Sequence, residues 1–165
     1  MLESERLLLV PMDDKMIDTL LESNEVFKSK YGYINDGGPY VNPSIDYLNK
    51  LKQRLIEYPE EYPLATDFLI IIKEIKTVIG SIDFKYLPNE EGITEIGYGM
   101  SQSYEGQGYM SEAVNLMLEY GKNNGIKTVF ADTTFQNEKS QNVLKRCGFT
   151  VISVEESRLW FIKKL

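Results

Sequence analysis

The chain has 165 residues, of which 42% are hydrophobic and 26% charged, and a net charge of −7. That length suits one domain spanning residues 1–165, and the acidic balance argues against nucleic acid, whose affinity rests on phosphate neutralisation. There is no histidine and a single cysteine, Cys147, which excludes histidine triads, histidine metal sites and an intrachain disulfide.

In chain order, "RLLLVP" (6–11) reads as a first strand closed by proline. "MDDKMIDTLLESNEVF" (12–27) sets Met16, Ile17, Leu20, Leu21 and Phe27 near helical spacing, so one helix is expected. "KYGYINDGGPYVNP" (30–43) is dense in glycine, proline and tyrosine and reads as a loop. Asn42 is the expected N-cap of the next helix, with Pro43 at its first position. Ile45, Leu48, Leu51 and Leu55 give that helix a buried face, and it must stop before Pro59.

"TDFLIIIKE" (66–74) and "KTVIGSIDFKYL" (76–87) are rich in β-branched and aromatic residues and read as an antiparallel hairpin. "PNEEG" is a turn, and "ITEIGYGMS" (93–101) a fourth strand. A helix with Met110, Ala113, Val114 and Met117 on one face follows, ended by Gly125. "KTVFADTT" is a fifth strand, and "NEKSQNVLKRCGF" a short helix between Asn137 and Gly148. "TVISVEESRLWFIKKL" closes the chain as a hairpin. The expected class is α/β (α+β): a mixed, mostly antiparallel central sheet of about seven strands with helices on both faces. The crossover from the fourth to the fifth strand must supply the parallel pair.

The stretch "YEGQGYMSEA" (104–113) places two glycines at the mouth of a helix. A helix N-terminus carries unpaired amides and about half a positive charge, and glycines let backbone approach an anion. Gly106, Gln107, Gly108, Tyr109 and Met110 would then present backbone to a pyrophosphate, with Ser111 adding a hydroxyl. The alternative is a turn that needs positive φ angles. It is not a Walker loop, because no Gly-Lys-Ser/Thr follows, and it is a poor dinucleotide fingerprint, because serine stands where the third glycine belongs. Gly97 and Gly99 open the strand just before the turn on the same face as Glu95. A linear cofactor could insert there and extend the sheet with its own amides.

The set "EIGYGM…YEGQGYMSEA…NEKSQNVLKRCGF" resembles the GCN5-related N-acetyltransferase (GNAT) family, and within it the ribosomal-protein N-terminal acetyltransferase branch. The resemblance covers residues 93–149 strongly and extends over the whole chain through the strand order. It implies acetyl-coenzyme A as acetyl donor and a primary amine as acceptor, either a protein N-terminus or a small amine. It places the pyrophosphate loop on Glu105 to Met110, pantetheine contacts on the backbone of Met100 and Ser101, and further cofactor contacts on Asn137 and Ser140. Two positions depart from the family pattern: Glu105 replaces Gln or Arg and adds negative charge beside an anion, and Met110 replaces a small residue.

The implied reaction is direct attack of the amine on the thioester. A base must deprotonate the amine, and Glu95 on the fourth strand is the expected base, with Glu155 and Glu156 behind it. A strand amide near Met100 would stabilise the oxyanion. Many family members protonate the leaving thiolate with a tyrosine seven residues after the asparagine; here that position is Leu144. The resemblance then points to Ser140, with Tyr98 and Tyr104 nearby. Cys147 reads as a buried, inert thiol. The tyrosine-rich loop lies where the family gates its acceptor site. A second reading keeps the fold but not the turnover: a sensor of acyl-coenzyme A. A third is the same chemistry with a longer acyl donor. No metal, nucleic acid or membrane partner is expected, and a monomer or homodimer fits. The N-terminus lacks a basic segment ahead of an apolar run, no stretch approaches about 18 apolar residues, and a single cysteine suits a reducing cytoplasm.

Overall fold

The computed structural model describes residues 1–35 and 43–165. Its strands are β1 (Leu2–Glu3), β2 (Leu7–Pro11), β3 (Ile34–Asn35), β4 (Phe68–Ile72), β5 (Thr77–Phe84), β6 (Ile93–Met100), β7 (Thr128–Thr134), β8 (Thr150–Glu155) and β9 (Arg158–Lys164). Its helices are α1 (Asp14–Glu22), α2 (Asn24–Tyr31), α3 (Ile45–Glu57), α4 (Tyr109–Asn123) and α5 (Glu138–Arg146). The strands form one sheet ordered β1-β2-β4-β5-β6-β7-β9-β8, with β3 paired to β5. Seven of these strands are the seven expected. The other two, β1 and β3, are two residues long and carry no periodicity to read.

Most pairings are antiparallel. The crossover through α4 supplies the expected parallel pair, β6 with β7, and the short β3 adds a second beside β5. One core lies between the sheet and α4–α5: Ile82, Phe84 and Ile96 pack with Met110, Ala113, Val114, Met117 and Leu144. A second core on the opposite face joins Met16, Ile17, Phe27, Leu48 and Leu51 to Leu69, Ile71 and Val78. Helices therefore cover both faces.

Two helical expectations need correction. Residues 12–27 form two helices, not one. Ser23 breaks them: its amide donates to the Thr19 carbonyl and its hydroxyl accepts from the Val26 amide, so it ends α1 and caps α2. The apolar spacing survives the break, which hid it. Asn42 lies outside the described residues, and the N-cap of α3 is Ser44, whose hydroxyl accepts from the Tyr47 amide at 3.2 Å.

Candidate active site

Strand β6 sets the site. Its ladder with β7 runs Ile93↔Thr128, Thr94↔Val129 and Glu95↔Phe130, and there it ends. β6 stays paired to β5 through Met100, while β7 is paired to β9 along its whole length, Thr128–Thr134. The sheet therefore opens into a wedge beyond Glu95. The amides of Lys85 and Ser101 mark which edge of β6 faces β5: Lys85 donates to the Glu95 carbonyl and Ser101 donates to the Ile79 carbonyl, both at 2.8 Å. Peptide groups alternate along a strand, so those of Tyr98 and Met100 face the wedge.

This sharpens the expected backbone contacts. Met100 presents its peptide group to the opening. Ser101 does not, because its amide is taken by Ile79 and its carbonyl accepts from the Tyr104 amide at 3.0 Å.

At the wide end of the wedge lies a cavity of about 560 Å³, bounded by β6, the start of α4 and α5. Of the residues expected to hold a cofactor, Met100, Gly106, Gly108, Met110, Ser111, Asn137 and Ser140 line it, whereas Ser101, Gln107 and Tyr109 do not. Gly106 and Gly108 have φ of 76° and 84°, the left-handed region that favours glycine. Gly108 is the N-cap of α4 and supplies no side-chain cap, unlike Asp13, Ser23, Ser44 and Asn137 on the other four helices. The first-turn amides of α4 are left without such a partner. Ser111 Oγ is buried and has no hydrogen-bond partner among the described residues.

Arg6 holds this loop in place, and sequence reasoning missed it. Its guanidinium grips Glu112 through Nε (2.8 Å) and Nη2 (2.6 Å), donates from Nη1 to the Gln107 carbonyl at 3.1 Å, and lies 4.4 Å over the Tyr109 ring. Gln107 and Tyr109 thus anchor the loop from outside the cavity. Burial pushes the Glu112 carboxyl up, but hydrogen bonds from Ser4 and Arg6 outweigh it and hold the group below its ordinary range.

The two departures from the family pattern acquire partners. Glu105 forms an ion pair with Lys139 at the cavity mouth, which offsets its charge. Met110 is 5% exposed and packs into the core beside α4, so it lines the cavity while most of its bulk is buried against the sheet. Lys139 and Arg146 line the same cavity as Glu105, and the three leave it a net positive charge.

Asn137 Oδ1 accepts from the Ser140 amide at 3.1 Å and caps α5. The Ser140 hydroxyl lies 2.9 Å from the Tyr98 hydroxyl. Burial pushes the Tyr98 phenol up to about 12, so it stays protonated at neutral pH. Leu144, at the usual tyrosine position, is fully buried in the core. Cys147 is buried, which raises its thiol above the ordinary value, in keeping with an inert group.

Glu95 sits on the opposite face, and its carboxylate is ion-paired with Lys85. Lys85 also binds Asp132 at 3.1 Å, and Asp132 binds Arg158. Glu155 is exposed on β8, and Glu156, with a φ of 50°, sits in the turn to β9. No helix among the described residues is long and apolar enough to cross a membrane.

Comparison with known proteins bears on this wedge and loop. Residues 6–150 match the family model described as Acetyltransferase (GNAT) domain. The chain is 34% identical over 86 residues to the Uncharacterized N-acetyltransferase p20 of Bacillus licheniformis, a match spanning 52% of this chain and 48% of that protein. It is 25% identical over 152 residues to the Uncharacterized N-acetyltransferase YjdG of Bacillus subtilis (strain 168), spanning 90% and 89% of the two chains. Among solved structures, RimL, a ribosomal L7/L12 alpha-N-protein acetyltransferase in complex with coenzyme A, superposes with a TM-score of 0.71 at 20% identity, covering 98% of this chain and 96% of that one. The microcin C7 self-immunity acetyltransferase MccE, in complex with acetyl-CoA and AMP, superposes with a TM-score of 0.69 at 20% identity, covering 98% and 94%. At that identity these two likenesses carry the fold. With the family model covering most of its length, the chain belongs to the GNAT acetyltransferase family.

Proposed function

We propose that the protein is an acetyl-coenzyme A-dependent N-acetyltransferase acting on a primary amine. The observation that carries the reading is the wedge: the β6–β7 ladder stops at Glu95, and the cavity beyond it runs to the uncapped start of α4. The residues present fit the donor. The first-turn amides of α4 and the left-handed glycines suit a pyrophosphate. The unpartnered Ser111 hydroxyl offers it a further donor. Lys139 and Arg146 add charge for phosphate groups. The peptide groups of Tyr98 and Met100 suit the amides of a pantetheine arm, as an added strand would.

The thioester supplies the activated acetyl group. The amine nitrogen forms a bond to the acetyl carbon and the carbon–sulfur bond breaks. Of the two protons lost by the ammonium, one goes to a carboxylate and one to the departing sulfur. The Met100 amide is placed to donate to the carbonyl oxygen as charge gathers there. The Tyr98–Ser140 hydroxyl pair takes the role that a tyrosine at position 144 would fill, donating toward the sulfur. A protein N-terminus and a small amine are both candidate acceptors.

The test is thiol release on mixing the protein, acetyl-coenzyme A and a panel of primary amines, with coenzyme A binding followed by calorimetry. Binding without release for any amine would favour an acyl-coenzyme A sensor instead. No binding at millimolar donor would sink both readings.

A further inference from the structure

We infer that the acceptor's ammonium group sits between Asp67 and Asp83, on the face of β6 opposite the coenzyme A cavity, and that Asp83 takes its proton. This inference rests on the acetyltransferase reading above and names the acceptor class for it.

A second cavity, of about 380 Å³, opens on that face. Tyr47, Asp67, Ser81, Asp83 and Gly99 are among its lining residues. Tyr98 and Gly99 line both cavities, so the two meet across β6 at the wedge. A nucleophile in one is thus separated from a thioester in the other by the strand whose side chains are missing at Gly97 and Gly99.

The hairpin register brings the carboxylates together. Phe68 pairs with Ile82, so one step further Asp67 stands opposite Asp83. Like charges facing each other across a ladder are unfavourable, and no ion pair among the described residues offsets either of them. Asp67 is 4% exposed. Its Oδ2 accepts from the Tyr47 hydroxyl at 2.7 Å, while its Oδ1 is buried with no partner among the described residues. That orphan acceptor, lining an acidic cavity, asks for a donor. Arg54 of α3, whose charge acts on both carboxylates, spends Nη2 on the Phe84 carbonyl at 3.0 Å. A primary ammonium brings the missing donors and the missing charge.

Asp83 is suited to take the proton. Burial pushes it up to about 7, and the Asp67 charge pushes the same way. Arg54 of α3 and Lys85, the residue after β5, pull it down, and Glu95 of β6 raises it. Tyr47 of α3 stays protonated, its phenol raised by burial and by Asp67. A base near neutral pH combines availability with driving force. The Gly97 position makes room for it: a Cβ there would come within 2.7 Å of Asp83 Oδ1. Glu95, by contrast, already has Lys85 on its carboxylate.

The two carboxylates also define what cannot enter. An amine with a carboxylate on the adjacent carbon would meet Asp67 and Asp83 head-on. Free α-amino acids are excluded, and alkylamines and amidated or peptide-bonded α-amines are admitted.

Alaninamide and alanine are a matched pair of probes for this. Compared at equal concentrations of unprotonated amine, thiol release is expected to be at least tenfold faster with alaninamide. Asp67→Asn and Tyr47→Phe are expected to raise its KM about tenfold with kcat nearly kept. Asp83→Asn is expected to lower kcat at least a hundredfold and to remove the acid limb of the pH profile. Circular dichroism and an unchanged coenzyme A affinity show that each variant is folded and its donor site intact. If alanine is acetylated as well as alaninamide, or if the acid limb survives Asp83→Asn and disappears in Glu95→Gln, the assignment is overturned. Loss of coenzyme A binding by the unsubstituted protein would instead refute the acetyltransferase reading itself.

Discussion

Replacing Arg6 with alanine tests how the α4 loop is held. Arg6 loses two hydrogen bonds to Glu112, one to the Gln107 carbonyl and its place over Tyr109. The pair is part-exposed, with side-chain accessibilities of 43% and 20%, so its charge-assisted bonds are discounted to about 1 kcal/mol. The cation–π contact adds about 0.5 kcal/mol. For a chain of this size, a loss of about 1.5 kcal/mol lowers Tm by about 3–6 °C. The sign of the pH dependence follows from Glu112. Its folded pKa lies below the ordinary value of 4.5, so its contribution is present above that pH and is lost as pH falls through the folded value. Thermal melts of the two proteins are therefore expected to differ at pH 7, and the gap to narrow as pH falls through the folded value of Glu112, leaving the share of the Tyr109 and Gln107 contacts. Glu112→Gln is expected to cost more, because Ser4 also donates to that carboxylate. Loosening the Gln107 carbonyl should weaken coenzyme A binding about threefold, or ~0.6 kcal/mol. Equal melting of the two proteins at pH 7, or a gap that stays unchanged throughout an acid titration of the folded proteins, would refute an electrostatic clamp.

Gly108→Ala puts a β-carbon on a backbone with φ of 84°, at a cost of about 1–2 kcal/mol; calorimetry should show coenzyme A binding at least about tenfold weaker, near 1.4 kcal/mol. The Cβ meets nothing closer than Arg6 Nη2 at 3.5 Å, so retained affinity would remove the cradle from the mechanism. Tyr98→Phe and Ser140→Ala should each slow thiol release about tenfold or more, in the range of lost general acid catalysis; coenzyme A affinity should hold in Tyr98→Phe, and fall less than the rate in Ser140→Ala, because Ser140 also lines the donor cavity. Lys139→Ala leaves Glu105 unopposed at the cavity mouth and should weaken coenzyme A, with Glu105→Gln in the same chain restoring part of the loss; no rescue would mean the ion pair does not act on the donor.

Local signals carried far in this sequence. The glycine turn, the helix after it and the Asn137 cap are each contained within a dozen residues, and each stands where it was expected. Arg6 was illegible because its meaning depends on β2 passing beside the start of α4, more than a hundred residues away. Ser23 was hidden by apolar spacing that continues through the helix break. The direction of the Ser101 peptide group was illegible for a different reason: the strand could be read, but which of its edges lies open is decided by where the β6–β7 ladder ends. Glu95 and Asp83 show the same limit. Both are carboxylates on neighbouring strands, and pairing alone separates them, since Lys85 holds one and the hairpin sets the other against Asp67.

Strand parity then explains why β6 is built as Glu-Ile-Gly-Tyr-Gly-Met. Even-numbered side chains face α4 and α5, where Ile96 packs in the core and Tyr98 reaches Ser140. Odd-numbered positions face α3, and two of the three are glycine, so Asp83 can lie close over the strand. Peptide groups follow a second alternation, with residues 95 and 101 tied to β5 and Tyr98 and Met100 turned to the wedge. One eight-residue strand thus gives a donor side, an acceptor side and an open hydrogen-bonding edge between them. A side chain at position 97 would press on Asp83 and displace it from the acceptor side. That makes this interior glycine, which weakens a strand on its own, part of the reaction geometry proposed for this protein.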